Sequence, residues 1–209
     1  AAVAALKRDF PGIRVSIEVD FSETLLAKMR ERKFDIVIAR LHNAAGMGEF
    51  EFQELEESPH GIAVRADHPL LHKRALTLLD LVPQTWILPP PGNVLRDSVT
   101  ELFLRKRVPL PQSVVETAAM PIIVNLLGRS EMVAPLALEL IEPFREAGVL
   151  GVLQLAFDVR LGAAGILTRR DQRHSPAAQV ALNALRQAAQ KTGPAPVPRR
   201  AARTAPRKL

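Results

Sequence analysis

"FPGIRVSIEVDFSETLLAKMRERKFDIVIAR", residues 10–40, decides the architecture. Pro11 and Gly12 stop a preceding helix. Ile13, Val15, Ile17 and Val19 then alternate with Arg14, Ser16 and Glu18, the period of a strand with one buried face. Ser22 can cap the next helix, whose apolar stripe is Leu25, Leu26 and Met29. "FDIVIA" (34–39) is continuously apolar, as a strand buried on both faces should be. A strand, a helix and a strand in this order predict a unit of a parallel sheet.

Upstream, Val3, Leu6 and Phe10 of "AAVAALKRDF" keep helical spacing from the first residue, and no Met precedes them, so the chain reads as a fragment entered part-way through a helix. Downstream, Phe50 and Phe52 alternate in a strand. "GIAVRADHPLL" (61–71) follows, with Ile62 to Val64 expected to finish the first sheet and Arg65 to His68 to cross away from it. Thr77 caps a short helix near 77–82, "TWIL" (85–88) is a strand, and a helix runs from about Asn93 to Arg107 with Val99, Leu102 and Phe103 inward. "SVVET" (113–117) is a strand, and Pro121 opens a helix closed by Gly128. "MVAPL", a helix over Leu138 to Phe144, and "VLGVLQL" come next. "VRLGAAGILT" (159–168) is a last long strand, and Ser175 with Pro176 caps a final helix through Val180, Leu185 and Ala189.

The alternation restarts near residue 70, which predicts two α/β lobes, each a mostly parallel sheet flanked by helices. Residues 1–66 and 163–190 form the first lobe, 67–162 the second, and 191–209 a basic tail.

The net charge of +6 lies in that tail. Six of the 28 basic side chains follow residue 190, where no acid occurs, leaving 22 against 22 acids in the body. A neutral body has no surplus of cations with which to release counterions from a phosphate backbone, so the charge is no argument that it grips DNA. "GPAPVPRRAARTAPRKL" is aperiodic and reads as a disordered end, solubilising in the first reading and a non-specific DNA-tethering arm in the alternative. The absence of cysteine removes disulfides, thiol nucleophiles and thiolate metal sites, and fits a cytoplasmic protein. No membrane span or secretion signal is expected.

Enzyme signatures are lacking. His68 and His72 are four apart, but Pro69 biases His68 to extended geometry and no HExxH glutamate is present, so two surface histidines on a turn are expected, and no metal. There is no phosphate-cradling glycine run and no GxSxG elbow, "GMG" (46–48) reads as a loop, and Glu56 and Glu57 read as a solvated face. What remains is a set of polar residues at strand ends, where open α/β sheets hold ligands. Ser22 and Arg40 stand in the first lobe; Pro91, Gly92, Asn93 and Thr117 stand in the second. Flanking one cleft, they favour a small polar or anionic ligand.

These stretches resemble the effector-binding domain of LysR-type bacterial transcriptional regulators. The resemblance runs through residues 10–40, "VRADHPL", "LLGRSEMVAPL" and "RHSPAAQVALNALR", and covers about residues 1–190. It implies a two-lobed periplasmic-binding-protein-like (type 2) fold with two crossing strands, no catalytic activity, no cofactor, and homodimers that pair into tetramers. DNA would be held by an N-terminal helix-turn-helix that this chain lacks. A small-molecule effector, a carboxylate or sugar derivative, would meet Ser22, Arg40, Asn93 and Thr117 beside the Pro91–Gly92 backbone. Arg65, Leu41 and Pro135 stand as candidates for the cleft wall or hinge. An arginine at position 40 favours an anion, because a guanidinium holds both carboxylate oxygens. The family's first strand and following loop, which would precede residue 1, are missing. At position 32 the family often has glycine, so Arg32 predicts a different helix cap. The rivals are a transport-type solute receptor of the same fold and an enzyme on it, the porphobilinogen-deaminase type being excluded by the lack of cysteine.

Overall fold

The computed structural model describes residues 1–40, 47–55, 59–155 and 164–191. In chain order the elements are α1 (Ala2–Asp9), α2 (Ser22–Arg30), β1 (Val37–Arg40), β2 (Phe50–Glu54), β3 (His60–Arg65), β4 (Trp86–Leu88) and α3 (Val94–Arg105). Then come β5 (Val114–Glu116), α4 (Met120–Gly128), β6 (Ala134–Ala137), α5 (Leu138–Glu146), β7 (Leu150–Val152), β8 (Ala164–Arg169) and α6 (Pro176–Lys191). Short 3-10 turns occupy Met47–Glu49, Pro69–His72 and Leu78–Leu81.

The first sheet has the order β1-β8-β2, with β8 antiparallel to both neighbours. Val37, Ala39 and Leu167 meet Met29 of α2 and Phe50 in one buried cluster, with Leu25 and Leu26 packed against it. The α2 stripe is thus the one read from the sequence. On the central strand β8, Gly165 lies so close to the Phe52 ring that no Cβ fits between them. α1 packs on α6, whose start is capped as expected, the Ala178 N–H donating to Ser175 Oγ at 3.1 Å.

Residues 13–19 form no ladder with a described strand, contrary to the strand expected there. Ile17 and Val19 are 69% and 93% exposed. Alternation fixes which side chains share a face, but a strand also needs a neighbouring backbone, and among the described residues only β8 is bonded to β1. Ile38, read as buried, is 48% exposed for the same reason. Of the described ladders only β4–β5 is parallel, so the expectation of mostly parallel sheets fails in this detail while the α/β class stands.

The second sheet is centred on β3, which pairs antiparallel with β6 and β7. Ile62 to Val64 therefore do not finish the first sheet: β3 is the middle strand of the second. The chain changes sheet between Glu54 and His60 and returns between Val152 and Ala164. β4 and β5 extend this sheet through Val133, whose N–H donates to the Thr85 carbonyl at 3.0 Å while its carbonyl accepts from Ile87 at 2.8 Å. Alternation now places Ile62, Val64, Trp86 and Leu88 in one cluster with Val99, Leu102 and Phe103 of α3, and Ala63 and Ile87 in a second with Ile123, Leu127, Ile141 and Leu150. Burying each large side chain on either face contributes about 1.5–3 kcal/mol. The Trp86 and Phe103 rings meet edge to face at 5.5 Å, and the indole N–H donates to the Leu81 carbonyl at 2.8 Å, so the polar tip of Trp86 is satisfied inside the core.

Arg32 overturns the expectation of a different cap. It sits at φ 62°, its N–H donates to Met29 and that of Lys33 to Lys28, the paired bonds of a left-handed helix end. The Arg32 guanidinium holds Asp171 at 3.1 Å, and Arg169 donates to the Met29 and Arg30 carbonyls, so neighbouring side chains offset the strained backbone. Arg107, at φ 55°, ends α3 in the same way.

Candidate functional site

In the first lobe Ser22 and Arg40 are brought together. Ser22 is the first residue of α2 rather than its cap, Phe21 taking that place, and Ser22 Oγ instead accepts from the Arg40 N–H at 3.4 Å. The bond ties the start of a helix, where backbone N–H groups point outward, to the end of β1. Asp20 Oδ1 accepts from the Phe21 N–H at 2.8 Å, and Lys28 engages Glu18 and Asp20, which fixes the entry into α2.

The other four residues gather at the ends of β4 and β5. Pro91 and Gly92 make an exposed turn, with Gly92 at φ 84°, a conformation glycine adopts without strain. Asn93 caps α3, its Oδ1 accepting from the Leu95 N–H at 2.9 Å. The Thr117 N–H donates to the Leu88 carbonyl at 2.9 Å, and its Oγ1 accepts from the Ala119 N–H at 3.2 Å. These two side chains are cap and turn residues, and they retain an amide and a hydroxyl with hydrogens to donate.

The structure adds Arg96 and Glu116 to this second group. Arg96 Nη1 donates to Glu116 Oε1 at 2.7 Å and to the Pro89 carbonyl at 3.1 Å. In the sequence both look like solvent-facing positions, one on a helix and one at a strand end; only the parallel pairing of β4 with β5 brings them into register.

The hinge candidates fare differently. Arg65 is committed to Asp67 at 2.6 Å and Glu131 at 3.2 Å, and the Arg65 hydrogen bond holds the Asp67 carboxyl below the usual carboxylate range. Pro135 is buried within β6 opposite Ile62. Leu41 lies outside the described residues, as do Glu56, Glu57, Gly46 and the tail beyond Lys191. His68 is 1% exposed rather than on the surface, whereas His72 is exposed as read. Among the described residues no group of three metal-ligating side chains occurs, and no helix is long and apolar enough to cross a membrane.

Two α/β sheets, each with polar groups collected at strand ends, define a two-lobed domain of the type 2 periplasmic-binding-protein-like fold, and solved structures bear this out. The regulatory domain of CcmR from Synechocystis PCC6803, in complex with 2-PG, superposes with a TM-score of 0.77 at 21% identity, covering 93% of this chain and 91% of that one. The effector-binding domain of QuiR in complex with shikimate does so with a TM-score of 0.67 at 18% identity, over 91% and 90%. The model of the LysR substrate binding domain matches residues 1–190, and the chain belongs to that family. The HTH-type transcriptional regulator GbpR of Azospirillum brasilense is 33% identical over 187 residues, 89% of this chain and 55% of that protein. The chain thus spans about half the length of the curated relatives it matches. Those relatives are named as transcriptional regulators, and the domain is not an enzyme.

Proposed function

We propose that this chain is the effector-sensing part of a LysR-type transcription regulator, binding a small polar or anionic metabolite in the cleft between its lobes. In this reading Ser22 and Arg40 hold the ligand from the first lobe, and Asn93, Thr117 and the Pro91–Gly92 turn hold it from the second. The observation that carries it is the family match over residues 1–190, joined to the collection of these residues at strand ends on two separate sheets. The CcmR, QuiR and BenM domains of the same fold hold 2-PG, shikimate and benzoate, the last two carboxylates, which agrees with an arginine at position 40.

Binding signals only if the ligand prefers one arrangement of the lobes or of the oligomer over another. The full-length protein would be a cytoplasmic dimer or tetramer gripping DNA through a domain outside this chain, the ligand altering the geometry of that grip. A thermal-shift screen of small carboxylates, benzoate and shikimate among them, and of sugars tests the site. A hit should vanish in Arg40→Ala or Ser22→Ala, and a hit untouched by both would overturn it.

A further inference from the structure

Arg96, three residues beyond the Asn93 cap of α3, is a cation near the ends of β4 and β5 that is already engaged. Its Nη1 donates to Glu116 Oε1 at 2.7 Å and to the Pro89 carbonyl at 3.1 Å, and its side chain is 21% exposed against 49% for Glu116. The more accessible partner is therefore the carboxylate. A carboxylate accepts hydrogen bonds and donates none, and it repels a second anion brought within a few ångströms. Asn93, which caps the helix that carries Arg96, and Thr117, next in sequence to Glu116, add an amide and a hydroxyl to the same end of the second sheet. A ligand hydroxyl, which can donate to Glu116 and accept from its neighbours, suits this end; a carboxylate facing Glu116 does not.

We propose that the Arg96–Glu116 pair makes the second lobe select ligand hydroxyls, so that the effector is a polyhydroxylated monocarboxylate, of the sugar-acid type, and not a dicarboxylate. This rests on the cleft reading above and adds the chemical class and the ligand's orientation: carboxylate toward Arg40, hydroxyls toward Glu116. Arg96 positions Glu116, and Glu116 touches the ligand.

The test is titration calorimetry on the chain with two sets of probes, gluconate, galactonate and quinate against malonate, succinate and glutarate. In the wild type at least one hydroxylated probe should bind tenfold or more tightly than every dicarboxylate. Glu116→Gln keeps the shape but removes the charge that neutralises the Arg96 guanidinium. It should weaken the hydroxylated probe at least tenfold and strengthen dicarboxylates, a change of opposite sign that mere loss of structure would not produce. Glu116→Ala, with its fold checked by circular dichroism, should do the same. A dicarboxylate preferred by the wild type, or a hydroxylated probe indifferent to Glu116 but lost in Arg40→Ala, overturns this inference and leaves the sensing site standing. Binding indifferent to Arg40 and Glu116 alike, or none by either set, removes both.

Discussion

His68 fastens the turn after β3 to the segment before β6: its Nδ1 accepts from the Leu70 N–H at 3.1 Å, and its Nε2 lies 3.1 Å from the Glu131 carbonyl oxygen. The first bond requires an unprotonated Nδ1, so the hydrogen sits on Nε2 and donates to Glu131. Arg65 reinforces the same join through Asp67 and Glu131.

His68→Ala should therefore destabilise the protein by about 2–4 kcal/mol, from two lost hydrogen bonds in a fully buried position and the cavity left behind. Urea unfolding measures it. The exposed His72→Ala, on the same turn, should change stability by no more than about 0.5 kcal/mol.

Arg107 and Arg32 both hold left-handed backbone that costs a non-glycine residue about 1–2 kcal/mol. Arg107→Gly should raise stability by about 1 kcal/mol. Arg32→Gly should gain less, because it also removes the Arg32–Asp171 contact, and in a thermal melt the difference between the two variants reports what that contact contributes.

Gly165→Ala should be among the costliest small substitutions, because the Phe52 ring occupies the space of the new methyl and must leave its place over β8. A loss of about 2–3 kcal/mol is expected, from overpacking. Phe52→Leu in the same chain should recover part of it, which a double-mutant cycle would show.

Asp80 supplies an acid-sensitive element. The Lys73 ammonium at 2.6 Å, with the Thr77 N–H and hydroxyl, holds its carboxyl down to about 2 from an ordinary 3.8. A carboxyl depressed in the folded state contributes stability that is present above the unfolded value and is lost as pH falls from about 4 toward 2. Asp80→Asn should flatten that part of the stability profile measured by thermal melts, and leave the remainder of its shape unchanged.

Much of the fold was legible because apolar periodicity and caps are local. The inward face of α3, the Thr77 start of the Leu78–Leu81 turn and the Ser175 cap of α6 all follow from residues within a few positions of one another. Pairing is not local, and the misreadings lie there. Ile62, Ala63 and Val64 announce a strand buried on both faces but carry no mark of which sheet holds it, since β6 and β7 lie 70 or more residues on. Ile13 to Val19 announce a strand and name no partner. Among the candidate site residues, Asn93 and Thr117 were readable as strand-end positions because a helix start follows β4 and β5, whereas no described strand precedes Ser22, which opens α2. The Arg96–Glu116 contact depends on the register of β4 with β5, and two isolated charges in a sequence hold no record of it.

The open run of residues 13–19 also bears on how this chain behaves as a material. Ile17 and Val19, exposed on a run that joins no described ladder, leave apolar surface on which another chain can settle. Concentrated solutions of the isolated chain should accordingly self-associate through this run, and Val19→Lys, repelling its own copies, should keep it monodisperse.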